Sequence, residues 1–498
     1  MYNKCMANRI LTKSDKEFFT LVSQAAFTNP FSEHRDEIDL KILPGPPAKD
    51  LINIRPEVAN EVSKRIHKLD EKKTAMLSDF SQADRQVIEH VFLFDVFHKF
   101  NLKFDKLIIN QIDRETKPVS VPFAAEALSD LVRRGFNTKT ANRYFSLFYQ
   151  IRRAFYFIEH SLIGRCPSMR RLRMNLWNNI FTYNILNYER YLWDRMEDFS
   201  TLILGPTGCG KGAAAAAIGR SGFIPFDEKK RTFAESFTNN FVQINLSQFP
   251  ESLLESELFG HTKGAFTGAV SSHDGLFAIC SRHGSIFLDE IGDINTHVQI
   301  KLLQVLQERI FSPVGSHIKL KFNGRVIAAT NQPLAQLRRE KKFRDDFYYR
   351  LCSDCIDVPS LQQRIAEDHQ ELDVLIESVI QRITGRPSSE LVKTVSGVIE
   401  KNLGPGYHWP GNVRELEQCI RRVIITHDYT GEEKRDSQDL LDNLCTGLAA
   451  GSLDAQQLLE AYCTLLYDKY GTYQQVADQT KLDRRTAIKY IQNYSAKT

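Results

Sequence analysis

The sequence predicts a multidomain chain. It has a mostly helical N-terminal region, an α/β P-loop domain with further helices behind it, and an all-α C-terminal domain of helix-turn-helix layout. Three observations carry this. A short apolar run, Thr201-Leu202-Ile203-Leu204, leads into a GxxxxGK spacing and then an alanine run, giving strand, loop and helix in succession. The chain before it is rich in aromatic residues at helical spacing, and the chain's end carries two short helical patterns separated by a turn.

The 498 residues leave room for two to four domains. Hydrophobic content of 42% and charged content of 25% are those of a soluble globular protein. No apolar stretch approaches the ~20 residues a membrane helix needs. The start, Met1-Tyr2-Asn3-Lys4-Cys5, lacks the apolar core of a signal peptide. Nine scattered cysteines, an odd number, point to a reducing cytoplasm. Cys352 and Cys355 form a CxxC without a second pair or a nearby His, so they read as core or as a chance spacing rather than as a zinc or redox site. A net charge of +4 permits nucleic-acid binding without requiring it.

In the N-terminal region, residues 87–100 are apolar and aromatic at helical spacing, and 145–156 continue as an aromatic-rich helix toward the α/β domain. The stripe reads as core or interdomain packing rather than as a ligand box. A phosphorylation receiver would need an early acidic pair, a strand ending in Asp and a distant Lys. That order is not found. The expectation is a control region answering to a ligand or a protein partner.

The nucleotide loop is Gly205-Pro206-Thr207-Gly208-Cys209-Gly210-Lys211-Gly212. Its glycines let backbone N–H groups turn toward phosphate oxygens, Lys211 meets the outer phosphates, and the helix from 213–217 adds its N-terminal dipole. Gly212 stands where a hydroxyl ligand for magnesium is usual. The long interval from Lys211 to Phe241, with the polar run Asp227-Glu228-Lys229-Lys230-Arg231, reads as a small surface insertion. The run Ser285-Ile286-Phe287-Leu288 ends in Asp289 and Glu290. At a strand's C-terminal end, Asp289 can hold Mg2+ and Glu290 can polarise a water for attack on a γ-phosphate. A third apolar strand ends at Asn331, suited to sensing that phosphate. Arg344 and Arg350 suit stabilisation of phosphate charge across a subunit boundary, or ordinary surface ion pairs.

Between these motifs lies Gly264-Ala265-Phe266-Thr267-Gly268-Ala269. Glycines at both ends allow a tight protruding loop, and an exposed Phe there has no core to fill. By composition it is either an ordinary surface turn or a contact loop.

From residue 453 the pattern is helical: Leu458, Leu459, Tyr462, Leu465 and Leu466 form one apolar face. A short helix follows over 472–480. The turn Lys481-Leu482-Asp483, with Asp483 as N-cap, opens a second helix. Val476, Ala477, Leu482, Ile488 and Ile491 would hold the pair together. Arg484, Arg485, Thr486 and Lys489 would face DNA, or form the charged face of a plain helical bundle.

Residues 162–426 resemble the AAA+ module of bacterial enhancer-binding proteins, the ATP-driven activators of sigma-54 RNA polymerase. The motifs run in order: Leu162-Ile163-Gly164 with Pro167-Ser168-Met169, the P-loop, Glu255-Ser256-Glu257-Leu258-Phe259-Gly260-His261, GAFTGA, Phe287-Leu288-Asp289-Glu290-Ile291-Gly292-Asp293, Leu302-Leu303-Gln304-Val305-Leu306-Gln307-Glu308, Ala329-Thr330-Asn331, the two arginines, and Trp409-Pro410-Gly411-Asn412-Val413-Arg414-Glu415-Leu416. The C-terminal segment resembles the Fis-type domain that such proteins carry. The resemblance implies an AAA+ core at 161–358, a helical lid at 359–428, a linker at 429–452 and a DNA-binding domain at 453–498, after a regulatory region at 1–160. It implies ATP and Mg2+ as cofactors, with Asn245 coupling Glu290 to the nucleotide state, Asn331 as first sensor, Arg344 and Arg350 as trans-acting fingers and Arg414 as second sensor. Phe266 and Thr267 match the tip that contacts sigma-54, with Ser312-Pro313-Val314-Gly315 supporting it.

What this implies is a cytoplasmic transcription activator. Dimers would bind double-stranded enhancer DNA and assemble into a ring, a hexamer, that works on sigma-54 holoenzyme, with no membrane partner. The alternative is a DNA-binding regulator that uses ATP as a structural ligand. A third reading, a chaperone-like remodeller, is disfavoured by the terminal helices.

Overall fold

Short polar residues in extended backbone open several N-terminal helices. Thr12 accepts from Asp15 N ahead of α1 (Lys13–Phe27) and Ser32 from Arg35 N ahead of α2 (Glu33–Ile42). Helices α3 (Ile54–Asp70), α4 (Gln82–Arg114) and α5 (Ala124–Arg133) follow, and Asn137 caps α6 (Thr138–Ser161). The computed structural model describes residues 9–45, 54–71, 73–114 and 117–431, and beyond these 441, 444, 445, 447, 448, 451, 453–470 and 472–495. The chain forms two compact units, Met1–His427 and Asp428–Thr498. The first five residues and most of the stretch expected as a linker lie outside the described residues. No described helix is long and apolar enough to cross a membrane.

In the first unit, α7 (Pro167–Phe181) and the short α8 (Ile185–Asn187) lead to β1 (Thr201–Leu204). The P-loop follows, then α9 (Lys211–Gly219), a hairpin of β2 (Phe226–Asp227) and β3 (Thr232–Phe233), and β4 (Phe241–Asn245). Next come α10 (Glu251–Phe259), α11 (Leu276–Ile279), β5 (Ser285–Asp289) and α12 (Thr296–Glu308). A second hairpin, β6 (Ile310–Phe311) and β7 (Leu320–Lys321), precedes β8 (Arg325–Thr330), α13 (Leu334–Arg339), α14 (Asp345–Leu351) and β9 (Asp354–Asp357). The main sheet has the order β4-β5-β8-β1-β9, and every pair is parallel. Alternation along each strand feeds two cores. Ile203, Phe287, Ile327 and Ala329 join the core on one face, while Leu202, Ile286, Leu288 and Ala328 pack with α10, α12 and α14 on the other. Four helices, α15 (Leu361–Glu367), α16 (Glu371–Thr384), α17 (Ser389–Asn402) and α18 (Asn412–Thr426), form the lid.

The first of those cores does not stop at the sheet. It runs through α6 and α7 into α1–α4, so the helical N-terminal region and the sheet share one apolar interior. The segment read as a surface insertion is part of this seam. Phe226 and Phe233 are buried, while the 228–231 tip between them is exposed. Tyr149 of α6 stacks on Phe233 at 3.8 Å, and Phe145 meets Phe226 edge-on at 5.0 Å. The polar run forms the turn itself, with Asp227 Oδ1 accepting from the amides of Lys229 and Lys230 at 3.0 and 3.1 Å. Arg153, fully buried, donates to the carbonyls of Arg220 and Gly222 at 2.7 and 2.6 Å, tying α6 to the end of α9.

The described part of the second unit includes the helices Ala455–Tyr470, Tyr473–Thr480 and Arg484–Ser495. Thr472 accepts from Gln475 N, and Asp483 Oδ1 accepts from the amides of Arg485 and Thr486 at 3.0 Å each. The core is Cys463, Leu466, Val476, Ala477, Ala487 and Ile491. Two expectations shift by a fraction of a helical turn. Ala487 rather than Ile488 faces inward, and Ala461, Cys463 and Leu466 are buried while Tyr462 is exposed. Ala461, Cys463 and Ala487 place small side chains in this interior beside Leu466 and Ile491.

Candidate nucleotide site and exposed turn

The parallel register brings strand ends to one edge. Asn245 pairs with Asp289, and Leu204 with Thr330. Ligands of open parallel sheets lie outside this carboxyl edge. The loop after β1 takes left-handed backbone at Gly208 and Gly210, with φ of 77° and 112°. A Cβ on Gly208 would also stand 2.2 Å from the Gly411 carbonyl, so that glycine is required by both conformation and space. Lys211 is buried, with Nζ donating to the carbonyls of Gly205 and Pro206 at 3.0 and 3.3 Å.

Three elements converge on this loop. Asn331 Nδ2, just past β8, donates to Thr207 Oγ1 at 2.8 Å. From the lid, Asn412 Nδ2 donates to the Thr207 carbonyl at 2.9 Å while its Oδ1 accepts from Leu361 N at 2.8 Å, and Arg414 N donates to the Gly208 carbonyl at 3.3 Å. Glu290 sits in left-handed backbone (φ 56°, ψ 47°), an uncommon conformation for a residue with a side chain and one that concentrates at functional sites. Its Oε2 accepts from Asn331 N at 3.4 Å. Asp289 Oδ1 accepts from Glu290 N at 3.1 Å. Burial pushes the Asp289 carboxyl above its usual range, and its bond to Glu290 N and the charges of Lys211 and Arg414 oppose the rise.

The other expected site residues fall into different settings. Asn245 Oδ1 accepts from Ser247 N and Ser247 Oγ at 3.0 and 2.7 Å, while the Glu290 carboxylate is met by Asn331. Arg344 pairs with Asp346 at 2.7 Å, and Arg350 Nε donates to the Leu306 carbonyl at 2.9 Å. Arg344 N is held by Gln299 Oε1 at 2.9 Å. Gln299 is fully buried and also donates to the carbonyls of Ile294 and Lys342. A lone glutamine on an amphipathic helix gave no signal of that role. Gly212 has no atom within 4 Å of a would-be Cβ, so the position has room for a side chain. Cys352 is half-buried and packs against the second core, while Cys355 is exposed. Their hydrogen bond to each other holds the Cys352 thiol down to about 6. Among the described residues no group of three or more His, Cys, Asp or Glu could hold a metal ion.

The Gly264–Ala269 segment is a closed turn. Gly264 N donates to the Ala269 carbonyl at 2.9 Å and Ala269 N to the Phe266 carbonyl at 3.0 Å. Gly264 and Gly268 have φ of 80° and 100°, and neither has a close neighbour, so conformation alone requires glycine there. Phe266 is 38% exposed and touches the His261 ring edge-on at 4.9 Å. Val314 braces the base, accepting from Thr262 N at 3.1 Å and donating to the Gly260 carbonyl at 2.8 Å. Gly315 passes so close that its Cβ would lie 2.7 Å from that of Ala265.

Residues 190–357 match the sigma-54 interaction domain, and residues 366–447 match the AAA+ ATPase lid domain. The chain is 39% identical over 301 residues to the Nif-specific regulatory protein of Azotobacter vinelandii, covering 59% of this chain and 50% of that protein. It is 35% identical over 268 residues to the DNA-binding transcriptional regulator NtrC of Azospirillum brasilense, covering 53% and 48%. The chain thus spans about half the length of these curated relatives. Among solved structures, NtrX from Brucella abortus in complex with ATP aligns at 19% identity with a TM-score of 0.41, covering 74% of this chain and 79% of that one.

Proposed function

We propose that this chain is an ATP-hydrolysing activator of sigma-54 RNA polymerase that works in the cytoplasm and binds enhancer DNA through its C-terminal helices. The observation that carries the reading is the exposed Phe266–Thr267 turn, in a segment that matches the sigma-54 interaction domain and also holds the P-loop and the acidic pair. ATP fits a loop whose Gly208 and Gly210 free their amides for phosphate oxygens and whose Lys211 supplies the cation. Asp289 would hold Mg2+, which when bound offsets charge on the β- and γ-phosphates. Glu290 would orient the attacking water, with Asn331 linking that carboxylate to Thr207.

Arg414 and Asn412 would carry the nucleotide state to the lid. Arg344 and Arg350 would reach a neighbour's nucleotide in a ring, a hexamer, so that hydrolysis moves the Gly264–Ala269 turn against sigma-54. In the second unit Arg484, Arg485 and Lys489 are exposed near the start of the last helix, with Thr486 half-exposed beside them. This arrangement supports insertion of that helix into the major groove of DNA.

The test is promoter opening by the full chain with sigma-54 holoenzyme, read by permanganate reactivity. ATP-dependent opening is expected for the unchanged protein. Glu290→Gln should abolish both hydrolysis and opening, while Thr267→Ala should hydrolyse ATP without opening. Hydrolysis by the unchanged protein without any opening would reject the sigma-54 reading and favour a DNA-binding regulator with another client.

A further inference from the structure

A cavity of about 1110 Å3 lies among α1–α4, α6 and α7, remote in sequence from the nucleotide loop, and reaches the lid at Val374. It is large enough for a small-molecule ligand. One wall is aromatic: Phe31 stacks on Phe155 at 5.5 Å and meets Trp177 edge-on at 6.0 Å, with Phe94, Phe97 and Phe148 completing it.

The cavity's charges do not balance internally. Arg35 is matched by Asp39, Arg170 by Asp36, Arg152 by Asp105 and Arg173 by Glu159. Arg55 is different. It donates to the Pro30 carbonyl and lies over the Phe155 ring at 5.3 Å, but among the described residues no carboxylate comes within ion-pair distance. Burial, then the neighbouring Arg35 charge, hold its guanidinium below its usual range. A poorly matched, partly buried cation is costly unless something brings a negative charge to it.

Two more donors in the lining lack a hydrogen-bond acceptor. Trp177 is 3% exposed, yet its indole N–H has no hydrogen-bond acceptor, and Arg173 Nε has none either, its ion-pair partner Glu159 standing 3.8 Å away. Buried donors are normally satisfied, so unmatched ones grouped round one cavity point to an acceptor that completes them.

We propose that this cavity binds an aromatic organic acid, with its rings against Phe31, Phe155 and Trp177 and its carboxylate on Arg55. Arg173 connects such a ligand to the ATPase module. Its Nη2 donates to the Leu162 carbonyl at 2.7 Å and to the Gly164 carbonyl. The same connector is clamped by a buried lid pair, Arg364 and Glu371, joined at 2.6 Å. Arg364 Nη2 donates to the Ile163 carbonyl at 2.6 Å, and Glu371 Oε2 accepts from Arg165 N at 2.7 Å. Gly164 leaves no slack, since its Cβ would stand 2.0 Å from Glu371 Oε1. The binding claim stands apart from the transcription reading. An effect of the ligand on ATP turnover would rest on that reading.

The experiment titrates the full chain by calorimetry with 2-naphthoate, its neutral analogue 2-naphthalenemethanol and its cationic analogue 2-naphthylmethylamine. Naphthoate is expected to bind one site per chain at least about tenfold tighter than the alcohol, with no saturable binding of the amine. Arg55→Met should remove that preference while keeping the melting temperature, because it deletes a poorly matched charge and keeps the stem. Ala59→Trp, which fills the lining from α3, should block naphthoate and alcohol alike. Equal affinity for all three compounds, no saturable naphthoate binding, or unchanged naphthoate binding in both folded variants would overturn the proposal.

Discussion

The side-chain amide of Asn331 donates to the Thr207 hydroxyl across 2.8 Å, while the Asn331 backbone amide points at Glu290 Oε2 at 3.4 Å. One residue at the end of β8 therefore touches both the phosphate loop and the carboxylate proposed to orient water. Its neighbour on the loop, Thr207, is also held from the lid by Asn412.

Asn331→Ala removes the side-chain link and leaves the backbone contact to Glu290 intact. Nucleotide affinity should change little, because Lys211 and the loop amides remain. Turnover should fall about tenfold or more, as expected when a positioning contact of the reacting geometry is lost. Fluorescent-nucleotide titration alongside steady-state hydrolysis separates the two. A loss of affinity equal to the loss of turnover would show that Asn331 serves binding alone.

Two glycines in α9 should respond oppositely to the same substitution. Gly212 has ordinary backbone and open space, so Gly212→Ala should stabilise by about 0.4–1 kcal/mol through the unfolded chain. A Cβ on Gly219 would stand 2.2 Å from Phe241 Cδ2, so Gly219→Ala should destabilise by about 1–3 kcal/mol. Gly212→Thr adds a hydroxyl in the open space and should lower the magnesium concentration needed for half-maximal hydrolysis. Thermal melts and a magnesium titration check the three variants. A Gly219→Ala protein as stable as the parent would mean that Phe241 yields freely.

The contrast between those glycines marks what was legible in the chain. The strand, loop and helix around Lys211 could be read because phosphate binding demands contiguous residues at fixed spacing. The aromatic stripe of α4 and α6 was legible as packing from its period. The partner of α6 was not. Phe226 and Phe233 lie on strands of two residues each, separated by a polar run, and nothing in that spacing shows that they meet Phe145 and Tyr149. In the last helix, hydropathy favours Ile488 as the inward residue, whereas close helix packing selects Ala487. Gln299 escaped for a related reason: its three hydrogen bonds go to backbone brought together only by the fold.

The seam between α6 and the β2–β3 hairpin predicts cooperative unfolding. Phe233 is 3% exposed and stacked on Tyr149, so Phe233→Ala should cost about 3–5 kcal/mol. Because the N-terminal helices and the sheet share a core, that loss should move one transition common to both. The 428–498 unit should melt separately and stay unchanged. Hydrogen exchange resolved along the chain would read this directly. Loosening confined to the 1–160 segment, with the sheet still protected, would show that the two parts are independent foldons.

His90 makes stability in the N-terminal region depend on acid. It is buried in α4, its Nδ1 lies 2.7 Å from Ser23 Oγ, and its ring packs edge-on against Phe27 at 4.4 Å. Burial pulls its pKa from 6.5 down to about 4. The unfolded chain therefore binds a proton at a pH where the folded chain does not, so stability falls as pH falls. His90 contributes fully above 6.5, and its contribution is lost progressively down to about 4. A melting series across that window should decline for the unchanged protein, and His90→Gln should flatten the decline while lowering the neutral-pH melting temperature. The variant keeps a polar atom for Ser23 but cannot titrate, so a decline of undiminished slope would assign the acid sensitivity to other groups.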